Sequence, residues 1–398
     1  MEMGGVAAVT SSPGKDDLIL VLNSGSSSLK FGVYARGAHD EEAELSGSAD
    51  GIGHSDGSLK IRSADGKDLV RRECIHESQS DALKTLAAAM REHIHTAPVA
   101  VGHRVVHGGP KLYTHQLITP QVIEELRAAT HFAPLHIPQA LALIASAQSI
   151  FPSAKQFACF DDAFHRTIPE IAARFAIPGR YFDAGIRRYG FHGLSYESLV
   201  HHFGAQLPER AIFAHLGNGA SLCALRNGAS IDTTMGLTPT GGIPMGTRSG
   251  DLDPGVLIYL MRNEKLDADR LEELLNHKSG LYGLSSGNPS SGDPSSGESD
   301  VKALEERARS NDAKACLALD VFAVSVRKVI GAYVALLGGV DLLVFTGGIG
   351  EHSERIRVAA AEGLGFVGLT ADKILVVPAQ EELQIARHCR RLMGDAGD

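Results

Sequence analysis

Short apolar runs, each stopped by a glycine- or hydroxyl-rich turn, alternate along this chain with longer stretches of helical spacing. Residues 18–23 form an apolar run, 24–28 (SGSSS) a tight hydroxyl-rich turn and 29–35 a second run, so strand, turn and strand are predicted. The pattern returns at 215–225, where the run 211–216 (AIFAHL) stops at Gly217 and Gly219 and a second strand, 221–226, follows, which predicts an internal duplication. Asn227-Gly228 is a hairpin signal into a third strand, 229–233. Further strands are predicted at 99–106, 155–160 and 341–345. Helical spacing marks 80–95 through Leu83, Leu86, Met90 and Ile94. Thr119 and Pro120 supply an N-cap and a first-position proline for a helix to about residue 130. Other helices are expected at 139–150, from near Ser195, at 311–337 closed by Gly338-Gly339, and at 379–391. Residues 40–68 are glycine- and charge-rich and read as hairpins and exposed loops; 1–17 read as a loose polar tail, and 285–299 (SSGNPSSGDPSSGES) as a mobile surface loop. Strands alternating with helices make this an α/β protein.

Composition narrows the class. With 398 residues and 43% hydrophobic content the chain can build two cores, so two domains are the natural expectation. A net charge of −9 argues against nucleic acid or an anionic membrane as partner. No apolar run approaches the roughly 20 residues that span a bilayer, and the amino terminus shows no secretory pattern. Five scattered cysteines without CxxC spacing read as reduced thiols of a cytoplasmic protein. The close pairs His93/His95 and His201/His202 read as solvated helix ends.

The chemistry concentrates in residues 213–254, where glycines, threonines, His215, Arg248 and the acids Asp251 and Asp253 crowd between strand ends. Glycines let backbone approach an anion closely, hydroxyls and amides donate to it, and an arginine caps it with a planar charged fork. Strand periodicity puts Arg104 and Val106 on one face, so a charge and an apolar wall can share a site. Asp161 stands at the carboxyl end of a strand, where open α/β sheets carry their chemistry. Residues 346–351 (TGGIGE) follow another strand into a helix start, where free amides favour phosphate.

Taken together, HLGNGAS (215–221), DTTMGLTP (232–239), MGTRSGDLDPG (245–255), NSGSSSLKF (23–31), GHRVVHGG (102–109), APLH (133–136), FDDAFH (160–165), IRRYGFHG (186–193) and FTGGIGEHS (345–353) closely resemble the acetate kinases of the actin and hexokinase superfamily, in order and over almost the whole chain. The resemblance implies two ribonuclease-H-like domains facing across a cleft: residues 16–163 with 380–398, and a nucleotide-binding domain at 164–379. It implies a magnesium-dependent transfer of the ATP γ-phosphoryl to acetate, and a homodimer. Arg104 would hold the carboxylate and Asp161 orient it. Arg248, His192 and His136 would surround the transferring phosphoryl, and Val106, Leu135, Phe191 and Pro239 would wall the acyl methyl. Lys30, His215, Gly217, Asn218, Gly219, Asp300, Lys302, Gly348, Ile349 and Gly350 would meet the nucleotide, with Asn23 and Glu351 at the metal. Ser26 and Ser28 would join the amino-terminal phosphate turn.

The chain departs from the family at Ile137 (asparagine is usual), Asp162 (threonine), Leu194 and Tyr196 (threonine and histidine), His352 (asparagine) and Lys302 (arginine). These leave open propionate or butyrate as the acid, or another phosphoryl donor. A non-catalytic actin-like nucleotide-binding module is the remaining alternative, against which the intact Arg104, Asp161, His192, Arg248 and Glu351 speak.

Overall fold

A computed structural model describes residues 17–25, 27–37, 40–287 and 296–395. The expected amino-terminal tail up to residue 16, Ser26, and positions 288–295 of the expected surface loop lie outside the described residues. The chain divides into two compact units, Met1–Ala163 with Gln380–Asp398, and Phe164–Ala379.

The first unit is built on an eight-stranded sheet of β1 (Ile19–Ser24), β2 (Ser28–Arg36), β3 (Glu41–Asp50), β4 (Ser58–Ser63), β5 (Asp68–Glu73), β6 (Ala100–Val105), β7 (Gln116–Leu117) and β8 (Lys155–Phe160), in the order β5-β4-β3-β2-β1-β6-β8-β7. β1 runs antiparallel to β2 and parallel to β6, and β6 runs parallel to β8. The hairpin expected within residues 40–68 is present as the antiparallel β3 and β4, which extend the sheet rather than standing as exposed loops. Their alternate positions Leu45, Ala49, Leu59 and Ile61 enter the core with Leu20, Phe31, Leu83, Val101 and Leu143. Apart from the buried Glu41, the charged residues of these strands stand at exposed or half-buried positions, so high polarity concealed the inward-facing side chains.

The second unit holds β9 (Arg210–Leu216), β10 (Ala220–Arg226), β11 (Ala229–Thr233), β12 (Leu342–Thr346) and β13 (Ile374–Val376), in the order β11-β10-β9-β12-β13. β9 is antiparallel to β10 and parallel to β12, which is parallel to β13. Both units therefore repeat one ribonuclease-H-like order, seen in the first as β3-β2-β1-β6-β8. Asn227 and Gly228 make the hairpin turn with φ of 51° and 76°, the left-handed pair that a tight β-turn requires.

Helix ends follow the sequence signals. Thr119 accepts the Val122 amide ahead of helix Pro120–Ala128. Asp312 caps helix Ala313–Leu337, and Gly338 ends it at φ 72°. His93, His95, His201 and His202 are all exposed. Among the described residues no helix is long and apolar enough to cross a membrane. All five cysteines are free, with Cys159, Cys223 and Cys389 buried.

Candidate active site

In the first unit, polar side chains gather where β1, β6 and β8 end. Arg104, near the end of β6, donates from Nη2 to Asp161 Oδ2 at 2.6 Å and from Nη1 to Asn23 Oδ1 at 3.4 Å and the Ser24 carbonyl at 3.3 Å. Burial disfavours its charged form, yet Asp161, Glu381 and Glu382 outweigh this and hold the Arg104 pKa above the ordinary arginine value. Its Nε is buried and without a hydrogen-bond partner among the described residues. Asn23 Nδ2 donates to Glu381 Oε2 at 3.0 Å and Glu382 Oε1 at 2.8 Å. Both glutamates open helix Glu381–Asp395 and were missed in the sequence, where acids in a first turn read as ordinary dipole partners. Gln79 secures the preceding turn, donating from Nε2 to the carbonyls of Gly25 and Ser28.

Val106 is half-buried just past β6, its neighbour Val105 buried and Arg104 half-buried, which is the alternation expected of that face. Leu135 is exposed, and His136 is half-buried at the start of helix Ile137–Ile150. Lys30 lies exposed on β2 of the same unit.

In the second unit, the expected phosphate residues converge at the ends of β9 and β12. His192 has φ 61° and initiates helix Gly193–Phe203. Its Nδ1 lies 2.9 Å from Ser221 Oγ, which in turn lies 2.5 Å from the Tyr196 hydroxyl. The His192 ring stacks on His215 at 4.2 Å, and His215 Nδ1 meets Ser195 Oγ at 2.8 Å. A Cβ added to Gly219 would come within 3.2 Å of His192 Nε2 and 3.4 Å of Arg248 Nη1. A Cβ on Gly217 would lie 3.6 Å from His215 Nε2 and 4.0 Å from the Gly348 nitrogen. His192, His215, Arg248, Gly217, Gly219 and Gly348 thus surround a short length of bare backbone. Arg248 also donates to the Pro239 carbonyl at 3.4 Å, and the Gly246 amide donates to the Asn218 carbonyl. Ser195, Ser221 and Tyr196 were not singled out as supports, since a serine on a strand or helix carries no pattern of its own.

The remaining expected residues have defined local roles. Phe191 is fully buried, and its carbonyl meets His165 Nε2 at 3.0 Å. The run Gly347–Gly350 itself forms the start of the six-residue helix Gly347–His352, with Gly348 exposed, Ile349 half-buried and Gly350 buried. Glu351 Oε1 accepts the Gly347 amide at 3.1 Å, so this carboxylate caps its own helix. Asp300 caps helix Val301–Arg309 by accepting the Ala303 amide, and Lys302 beside it is exposed.

The Acetokinase family model matches residues 18–387. An acetate kinase from Nitrobacter hamburgensis is 41% identical over 405 residues, covering 95% of this chain and 97% of that protein. Among solved structures, Porphyromonas gingivalis acetate kinase superposes with a TM-score of 0.82 at 34% identity, covering 95% of this chain and 100% of that one. A propionate kinase from Francisella tularensis gives 0.83 at 33% identity, covering 94% and 98%. The chain belongs to the acetokinase family, enzymes of phosphoryl transfer.

Proposed function

We propose that the protein reversibly transfers the γ-phosphoryl of ATP to acetate, giving acetyl phosphate and ADP, with magnesium as the metal. The observation that carries this reading is the approach of His192 Nε2 and Arg248 Nη1 to the Gly219 backbone, because phosphoryl transfer is catalysed mainly by positioning and by donors aimed at developing charge. In the first unit Arg104 supplies the charge for the acid's carboxylate. Asp161 fixes the guanidinium fork. The acid is ionised at neutral pH and attacks directly, so no general base is required. Val106, half-buried just past Arg104's strand, offers apolar surface for a short acyl group.

Of the residues expected at the metal, Glu351 is engaged with the Gly347 amide, whereas Asn23 sits against Glu381 and Glu382. Three carboxylates (Asp161, Glu381, Glu382) face the single charge of Arg104, and an excess of oxygen donors suits a hard divalent cation. Asn23, Glu381 and Glu382 would hold magnesium, which supplies charge neutralisation to the phosphates.

Helix Pro254–Asn263 buries none of its residues and exposes Val256, Ile258, Tyr259 and Met261, which favours a second copy of the chain as its cover. Free cysteines throughout accord with a reducing, cytoplasmic setting.

The test is hydroxylamine trapping of acyl phosphate with acetate, propionate and butyrate against ATP and GTP. Acetate should lead, and with only Lys302 at the adenosine position GTP should serve within about tenfold of ATP, a gap of about 1.4 kcal/mol. Arg248→Ala should fold and lose at least about 100-fold in kcat, as removal of one preorganised donor does. Turnover near wild type would refute the role of Arg248. Propionate ahead of acetate would favour the second reading, which rests on the similarity to the Francisella tularensis propionate kinase.

A further inference from the structure

We infer that Asp162, which makes no contact with Arg104 in the hydrogen-bond network above, is the positioning residue of the acid-binding corner in the first unit; this rests on the acyl-kinase reading. Asp162 directly follows Asp161 beyond β8 and is 6% exposed. Its Oδ2 accepts the Gly108 amide at 3.1 Å and lies 3.1 Å from His107 Nδ1, which accepts the Gly109 amide at 2.8 Å. One carboxylate therefore ties the end of β8 to the segment that continues β6 through Val106. The His107 ring packs against Phe132 at 5.6 Å, and Phe132 ends the short turn Ala129–Phe132 that leads into Leu135 and His136. Three segments meet at this point, carrying Arg104 and Val106, Asp161, and Leu135 with His136.

The corner is also sterically tight. Gly109 has φ 67°, and a Cβ there would come within 2.6 Å of the Ala129 Cβ, so no larger residue fits at this position. Within this packing Asp162 Oδ1 is buried with no hydrogen-bond partner among the described residues. A neutral acceptor such as asparagine or threonine could take the Gly108 amide without that desolvation cost. A carboxylate makes the bond from the Gly108 amide charge-assisted and so holds the Val106–Gly109 backbone more firmly. Asp162 thereby determines where Arg104 and Val106 present themselves to the acid, without touching it.

The experiment compares wild type with Asp162→Ala, Asp162→Asn and Asp162→Thr in steady-state assays, varying acetate, propionate and ATP separately and checking folding by circular dichroism and Tm. Asp162→Ala should raise the acetate KM about tenfold or more, equivalent to about 1.4 kcal/mol, with the ATP KM within about twofold of wild type. Asp162→Asn should recover part of the loss, because it keeps an acceptor for Gly108, and the propionate-to-acetate ratio should shift in each variant as Val106 moves. If Asp162→Ala does not fold, the asparagine and threonine variants decide, and a raised acetate KM in either supports the role. Folded variants with an unchanged acetate KM, or with acetate and ATP KM rising together, would overturn the positioning role while leaving the acyl-kinase reading standing. A wild type that yields no acyl hydroxamate from any short-chain acid would overturn both.

Discussion

His192 is held by a relay that ends at the Tyr196 hydroxyl. The Tyr196 hydroxyl lies 2.5 Å from Ser221 Oγ, and Ser221 lies 2.9 Å from His192 Nδ1. If Tyr196 donates, Ser221 passes its own hydrogen to Nδ1, and Nε2 is left carrying a hydrogen toward the Gly219 backbone. Tyr196→Phe should therefore lower kcat by about fivefold, the scale of one lost hydrogen bond, with both substrate KM values unchanged; an unaltered kcat would show that the relay does not orient the ring. The metal reading divides in the same way between two carboxylates. Glu382→Gln should raise the magnesium concentration for half-maximal rate, while Glu351→Ala should mainly cost about 1 kcal/mol of stability by uncapping its helix. Superimposable magnesium titrations for wild type and Glu382→Gln would remove Glu382 from the metal. His192, His215, Arg248 and Arg104 were singled out as candidates because they lie inside dense motifs. Their supports were not, since Ser221, Glu381 and Glu382 gain meaning only when strands and a distant helix bring them beside those motifs.

Among elements, strands with strong apolar runs were read almost to the residue, as β8 (Lys155–Phe160) and β11 (Ala229–Thr233) show. Of β3 and β4 the hairpin was legible but the burial was not, because charge on most of their exposed positions outweighed the few inward apolar ones. β6 and β8 illustrate what pairing adds. His103 on β6 is buried and meets Gln156 Oε1 on β8 at 2.8 Å, while its Nδ1 has no partner among the described residues. Burial, only partly opposed by the Gln156 bond, pushes its pKa down to about 4. The unfolded chain protonates this group near pH 6.5 and the folded chain only near 4, so acid favours unfolding. His103 contributes no such loss above about pH 6.5, and stability should fall as pH drops from there to about 4, by up to about 3 kcal/mol. His103→Gln should flatten that part of the profile of Tm against pH. Parallel curves for mutant and wild type would assign the acid sensitivity elsewhere.

For the molecule as a whole, the chain leaves the first unit at Ala163 and re-enters it at Gln380. Helix Glu381–Asp395 thus binds sequence ends to one fold. It is anchored by Arg387 to Asp40 and by Arg390 to Glu41, and its first turn delivers Glu381 and Glu382 to Asn23. It approaches the sheet at Gly102 on β6, where an added Cβ would come within 2.5 Å of Ile385 Cγ2 and 2.6 Å of Cys389 Sγ. Those side chains are fully buried, so neither has room to retreat. Gly102→Ala should therefore push the helix away from β6 at a cost of about 1–3 kcal/mol, the usual penalty for overpacking. The same displacement carries Glu381 and Glu382 away from Asn23, so the variant should also need more magnesium, although no metal-site residue has been changed. Pairing Gly102→Ala with Cys389→Ala removes one of the two obstructing groups and should restore part of both the Tm and the magnesium response. Loss of Tm with an unchanged magnesium titration would mean that the helix is a structural buttress only, and that the glutamates keep their place independently of its packing.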